Sequence, residues 1–390
     1  MKPIYVFLVP VLAAMLLFPS LPVAAQEQPS LTGDALRAPI SLQTHAIRGS
    51  NMPARYQPSA FMAGHVAVQV VFVESDGTIE PSREDWTAEQ MSAVTAQITT
   101  ALTWWHDRLP DAHLSFDVST QVAATGYEPV THGLDGEHLW IGDTLSHMGY
   151  PGKDYFEQAY AADDALRHAR GADWATTLFV ANSAHDDDGR FADGLFGYAY
   201  VNGPFMVLTS NAGPYGTSKM ASVVTHEMGH IFGALDQYAS AATPCTEQSG
   251  YLNVANTNSQ YNNCGTHNPS IMQDALPSYE NKQIDDTALG QLGYRDADGD
   301  HILDPVDTAP NVQVEWAQSG TARPMVSGQA IDQPLPSIRQ ATVTINHIDR
   351  VEYRVNGGAW MWLPAADGSY SDASEAISVT LPLYDGQYAV

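Results

Sequence analysis

His226-Glu227-Met228-Gly229-His230-Ile231-Phe232-Gly233-Ala234-Leu235-Asp236 is the stretch on which the reading of this chain turns. Residues four apart on a helix lie one above the other, so His226 and His230 present their rings to one point and can share a metal. Glu227 lies beside them, placed to take a proton from water held there. Val224, Met228 and Ile231 form a neighbouring apolar face that docks the helix on a sheet. Gly233 lets the backbone turn sharply out of the helix, with positive φ open to it. The turned chain then returns Asp236 as a third ligand and leaves a fourth position for water, as a catalytic zinc requires. HExxH alone arises by chance in roughly a few per cent of chains with this histidine content; adding Gly233 and Asp236 lowers that to about one in several thousand.

The elements around this motif predict an α+β domain. A continuous β-branched run over 66–73 reads as a buried strand. Thr87-x-x-Gln90 is a capping box that opens a helix with the apolar face Met91, Val94, Ile98, Leu102 and Trp105. Trp104 and Trp105 are read as core. Further strands are expected over 114–122 and 177–181, and a helix over 154–170. The runs 198–201 and 205–208 flank Asn202-Gly203-Pro204 as a hairpin or bent edge. A helix over 218–232 carries the metal motif, and the domain ends near residue 290.

The chain has 390 residues, with 17 lysines and arginines against 44 acids and a net charge of −27. That balance argues against nucleic acid and anionic membrane surfaces as partners, since both need positive charge to displace counterions. Lys2, the apolar residues 4–21 and the small residues Val23-Ala24-Ala25 read as a secretory signal peptide over 1–25, cleaved near Ala25. No later run is long or apolar enough for stable membrane insertion. Secretion, with extracellular or cell-surface residence, makes the two cysteines, Cys245 and Cys264, a disulfide. Closing that Asn-rich loop is worth about 3 kcal/mol and holds a wall of the site. Residues 26–60, rich in Pro, Ser, Gln and Ala, read as a linker or pro-segment.

Residues 61–290 are therefore expected as the catalytic domain, 291–310 as a calcium-binding linker and 311–390 as a β-sandwich of Ig-like or fibronectin-like type. Asp296, Asp298, Asp300, Asp304 and Asp307 alternate around Gly299, a spacing suited to the hard cation calcium. Asp186-Asp187-Asp188 reads as an exposed loop. Short strands over 341–345, 351–355, 360–363 and 377–381 make the sandwich. The sequence stops at residue 390 within an apparent strand, which predicts a truncated final domain.

The motif HExxHxxGxxD resembles the zinc signature of the metzincin metallopeptidases, with aspartate for the usual third histidine, as in snapalysin-like peptidases. Ser270-Ile271-Met272 resembles the metzincin Met-turn, which would place Met272 beneath the metal. Asp236-Gln237-Tyr238 also resembles the end of the zinc motif in some bacterial immunoglobulin-A-type peptidases. The resemblance covers roughly residues 61–290 and implies a zincin fold with a twisted sheet above an active-site cleft. An exposed strand near 198–208 would then pair with an extended substrate. Asp274 stands where many metzincins carry a tyrosine, leaving Tyr238 and Tyr279 as alternative replacements.

These readings converge on a secreted zinc endopeptidase acting on protein or peptide. Zinc sits on His226, His230 and Asp236, and Glu227 is the general base. The anionic Asp236 acidifies water less than a third histidine would. The C-terminal sandwich is expected to contact a cell surface or glycan. The alternative is a non-catalytic secreted adhesin with a structural metal, against which Glu227 argues because a structural zinc needs no base. Zinc-dependent hydrolysis of a non-peptide amide is a third reading.

Overall fold

The computed structural model describes residues 36–38, 52–262, 264–317, 323–381 and 383. The expected signal peptide, most of the expected linker and the strand expected at residue 390 lie outside the described residues. Among the described residues no helix is long and apolar enough to cross a membrane.

Five strands form the central sheet: β1 (His65–Ser75), β2 (Ser115–Thr125), β3 (Trp174–Ala181), β4 (Gly197–Ala199) and β5 (Phe205–Thr209). Their order is β2-β1-β3-β5-β4. All neighbours run parallel except β4, which pairs antiparallel with β5 at the edge. Parallel strands need long crossovers, and helices supply them. α1 (Ala88–Arg108) joins β1 to β2, α2 (Glu137–His147) and α3 (Tyr155–Arg170) join β2 to β3, and α4 (Met220–Ile231) follows β5. Strand alternation then sorts the core into two faces. Val66, Val68, Val70 and Phe72 of β1 join the cluster with α1 and α4. Val71 and Val73 join the one with α2 and α3.

The expected capping box is formed. Gln90 N–H donates to Thr87 Oγ1 at 3.2 Å, and Thr87 N–H donates to Gln90 Oε1 at 2.8 Å. Val94, Ile98, Leu102, Trp104 and Trp105 of α1 are buried. Trp105 also reaches the metal-motif helix, its indole N–H donating to Thr225 O at 3.1 Å. α2 was not anticipated, because its N-terminus at Gly136 has no side-chain cap.

Residues 52–60, expected as linker, pack on this body. Arg55 pairs with Glu157 at 3.0 Å, and buried Ser59 donates to Ile231 O at 2.7 Å. After α4 come the short pair β6 (Gln248–Ser249) and β7 (Val254–Ala255), then α5 (Ala275–Glu280) and α6 (Asp286–Gln291). Leu292, Leu303 and Val343 extend the α1–α4 core past residue 290.

The C-terminal part holds two small antiparallel sheets. One has the order β12-β9-β8, from β8 (Asn311–Ala317), β9 (Met325–Ile331) and β12 (Ser374–Thr380). The other pairs β10 (Val351–Tyr353) with β11 (Met361–Leu363). Ala330, Ile348, Val351, Leu363 and Ile377 form their shared core. The strand expected over 341–345 is absent. Its apolar residues dock instead on the main body, where Val343 N–H donates to the Tyr251 hydroxyl at 3.1 Å.

Asp163 of α3 is buried beneath the sheet, where Thr177 donates to its Oδ1 at 2.7 Å. Burial pushes this carboxyl well above its ordinary 3.8. A raised carboxyl favours the fold while neutral, so its contribution falls as pH rises from the unfolded value towards the folded one. Asp163→Asn should therefore gain stability relative to wild type with rising pH. The slope should be about 1.4 kcal/mol per pH unit where only the unfolded carboxyl is ionised. Denaturant unfolding of both proteins across about pH 4 to 8 measures it. A difference that does not vary with pH would mean that the carboxyl ionises freely in the fold.

Candidate metal centre and active site

Helix α4 is buried along its whole length. It brings His226 and His230 onto one face, and the chain leaves it through Gly233 at φ +96°. A Cβ at Gly233 would stand 2.9 Å from Gly250 Cα and 2.8 Å from Asn202 Oδ1, so only glycine fits both the turn and the close approach. The turn returns Asp236. Its Oδ1 lies 3.0 Å from His226 Nε2 and 3.2 Å from His230 Nε2, and the two Nε2 atoms are 3.2 Å apart.

The other ring nitrogens explain this arrangement. His226 Nδ1 is 2.8 Å from Ile271 O, and His230 Nδ1 is 2.8 Å from Ala234 O. A carbonyl oxygen only accepts, so each Nδ1 carries a proton, and each ring turns its Nε2, the atom open to a metal, towards Asp236. Two imidazole nitrogens and a carboxylate oxygen suit zinc. Ligand atoms about 2.0–2.1 Å from a tetrahedral zinc lie roughly 3.3 Å apart, close to the spacings found here. The donor set fits the metal.

Glu227 lies beside this triad, buried, and its Oε1 has no hydrogen-bond partner among the described residues. Burial pushes its carboxyl up to about 8; Asp236 adds to the rise and His226 opposes it. Burial would also raise Asp236, but the facing His230 and His226 rings outweigh it and hold that carboxyl well below the usual range. His230 is shifted upward because Asp236 outweighs the effect of burial.

Met272 lies under the helix between the histidines. A Cβ at Gly229 would come within 2.7 Å of its sulfur, so glycine there admits it. The same segment supplies Ile271 O to His226, and Met272 O accepts from Gln237 N–H at 2.9 Å. Gln237 anchors the residue next to Asp236: its side chain donates to Asp285 at 2.8 Å and accepts from Asn258 at 2.9 Å. Asn256 donates to Asp236 O at 2.9 Å. Both asparagines come from the loop closed by the Cys245–Cys264 disulfide, whose Cα atoms are 5.6 Å apart. None of these polar supports was singled out from the sequence. The number of asparagines in the loop was its only visible sign.

Of the two tyrosines left open, Tyr238 has its ring 6.3 Å from that of His226, whereas Tyr279 stacks on Trp104. Tyr215 was not anticipated. Its ring packs 5.7 Å from Phe196, and its hydroxyl is pushed up to about 12 by burial and by the charges of Asp274 and Glu227.

The edge strand β4 borders the site: a Cβ on Gly197 would lie 3.5 Å from Glu227 Oε1. Tyr200 N–H bonds inward to Phe205 O, and Phe196 O accepts inward from Thr209 N–H. Antiparallel alternation then turns the backbone groups of Gly197, Ala199 and Val201 outward. Val201 N–H already donates to Leu36 O at 2.8 Å.

In the acidic segment, Asp296, Asp298 and Asp300 bring carboxylate oxygens within 4.8 Å of one another. Asp304 and Asp307 fall outside this group. Asp304 is bonded to the Arg295 guanidinium and accepts from Ala297 N–H at 2.8 Å. Asp186 accepts from Gly189 N–H at 2.7 Å, as part of a turn.

No protein-family model matches the sequence, and no curated protein matches it. Solved structures similar to this chain include metalloproteinase-II from Bacteroides fragilis, at 15% identity and a TM-score of 0.28, with 46% of this chain and 44% of that one covered. A chain from a chaperone–substrate complex is 13% identical at a TM-score of 0.24, with coverage of 47% and 28%. Catalytically inactive OgpA from Akkermansia muciniphila, solved with an O-glycopeptide substrate, is 9% identical at a TM-score of 0.30, with 87% of each chain covered. This chain spans less than half the length of the first two structures.

Proposed function

We propose that the chain is a secreted zinc-dependent endopeptidase with the metzincin arrangement of its site. The observation that carries this reading is the convergence of two imidazole Nε2 atoms and one carboxylate oxygen within 3.2 Å, beside a buried carboxyl group with an unpartnered oxygen. His226, His230 and Asp236 would hold zinc. When bound, zinc supplies a Lewis acid that polarises a carbonyl and acidifies water. Glu227 takes the proton of the attacking water and passes it to the leaving amine. Its position off the triad and its raised carboxyl suit it to a base that becomes an acid. The outward groups of Gly197 and Ala199 align an extended peptide along β4.

Alanine at His226, His230 or Asp236 should remove zinc together with activity. Glu227→Gln should keep zinc and fold, yet lower turnover by about two to four orders of magnitude. Zinc stoichiometry and casein cleavage, measured on the same purified variants, check this. Turnover by Glu227→Gln near the wild-type rate rejects the mechanism, and full zinc in Asp236→Ala rejects the third ligand.

We also propose calcium at Asp296, Asp298 and Asp300. Their close carboxylates support it, as does the upward shift of Asp298 caused first by the charge of Asp300. Calcium should raise the melting temperature of the wild type and leave Asp298→Ala unchanged. Equal melting curves for wild type with calcium and with chelator would reject the site.

A further inference from the structure

Glu137 is a buried carboxylate that the proposed chemistry leaves unused. It lies in the first turn of α2, 1% exposed, on the opposite face of the sheet from Glu227. Three tyrosine hydroxyls converge on it. Tyr198 donates to Oε2 at 2.6 Å, Tyr155 donates to Oε1 at 2.7 Å, and Tyr200 also donates to Oε1. Hydrogen bonds to a carboxylate are among the strongest that side chains make, and those from Tyr198 and Tyr200 are buried. Burial raises the Glu137 carboxyl, and the bonds from Tyr198, Tyr200 and Tyr155 oppose that rise. All three phenols are pushed above their ordinary value by burial and by the charge of Glu137, so they remain protonated donors.

Two of the three donors belong to the edge of the sheet. Tyr198 is the middle residue of β4 and Tyr200 follows its end. Their neighbours Gly197 and Ala199, themselves buried, face the other way, towards α4, and turn their backbone groups away from β5 to the outer edge of the sheet. β4 has three residues and one strand partner, so its ladder alone restrains it weakly. Both carboxylate oxygens of Glu137 grip it from beneath, at points two residues apart.

We propose that Glu137 is a positioning residue: through Tyr198 and Tyr200 it holds the β4 edge where an extended peptide pairs beside Glu227. The inference rests on the peptidase reading above and names the device that sets the substrate-pairing strand. Tyr155 supplies the control. It donates to the same carboxylate from α3 and its hydroxyl also meets that of Tyr200, but Tyr155→Phe leaves the bonds from Tyr198 and Tyr200 to Glu137 in place and so keeps the strand held.

The test uses the full chain with zinc and two substrates: the casein peptide it cleaves fastest, and a shortened form keeping the scissile bond but lacking flanking residues. Glu137→Gln and the double variant Tyr198→Phe, Tyr200→Phe should raise KM for the long peptide about tenfold, as expected for the loss of about one strong hydrogen bond. Their kcat on the short form should stay within about twofold, and Tyr155→Phe should stay within about twofold on both, well under the tenfold effect of one such bond. Hydrogen exchange at the amides of 197–201 should quicken in the first two variants and not in Tyr155→Phe. Equal KM and exchange effects from Tyr155→Phe and the double variant would reduce Glu137 to a core contact and overturn the proposal. If Glu137→Gln does not fold, the double variant gives the same comparison. A wild type that cleaves no peptide overturns the peptidase reading instead, and exchange then decides: quickened edge amides in the double variant alone support positioning, and unchanged ones overturn it.

Discussion

The hydrogen bonds from His226 Nδ1 to Ile271 O and from His230 Nδ1 to Ala234 O govern the rest of the site. They fix which nitrogen carries the proton, and therefore what the two rings show to Asp236. Each depends on a backbone segment being in place. Ala234 is presented by the turn at Gly233, and Ile271 by the segment that runs under the helix. The helix is held too: Trp105 of α1 grips Thr225 O just before the first histidine, and Ser59 grips Ile231 O just after the second. Residues from far-apart parts of the chain thus restrain a single turn and a half of helix.

Burying Asp236 and Glu227 side by side is costly unless each charge is compensated. The two carboxyls are shifted in opposite directions. Asp236 faces two imidazoles and is stabilised as an anion. Glu227 has no such partner at Oε1 and is driven towards its neutral form. Two carboxyls pushed apart in this way suit the different roles proposed for them, one as ligand and one as proton carrier. The polar loop closed by the disulfide secures the main chain around Asp236 through Asn256, Gln237 and Asn258.

Local patterns were the legible ones. The spacing of four between His226 and His230, the glycine exit and the capping box at Thr87 each operate within one or two turns of chain. The β-branched run of β1 was equally plain. Long-range partners were not legible. Glu137 meets Tyr198 and Tyr200 across 61 and 63 residues, and no local rule links a first-turn glutamate to an edge strand. The apolar residues over 341–345 fitted a strand by composition, but the main core offered them burial and Tyr251 offered the backbone a partner. Asp304 shared the acidic spacing of its neighbours, yet Arg295 drew it into an ion pair. The choice between Tyr238 and Tyr279 likewise depended on where α5 packs.

The bond between Leu36 and Val201 has a consequence for the sheet as a whole. An edge strand with unspent hydrogen-bonding groups is a template on which any extended chain, including another copy, can zip up. Here the template is interrupted. With the Val201 amide already engaged, the outward groups left on β4 belong to Gly197 and Ala199, two residues and about 7 Å apart. That frontage is too short for a chain to slide along it by one register and still be held, so the rim of the sheet works as a stopped slot and not as a rail.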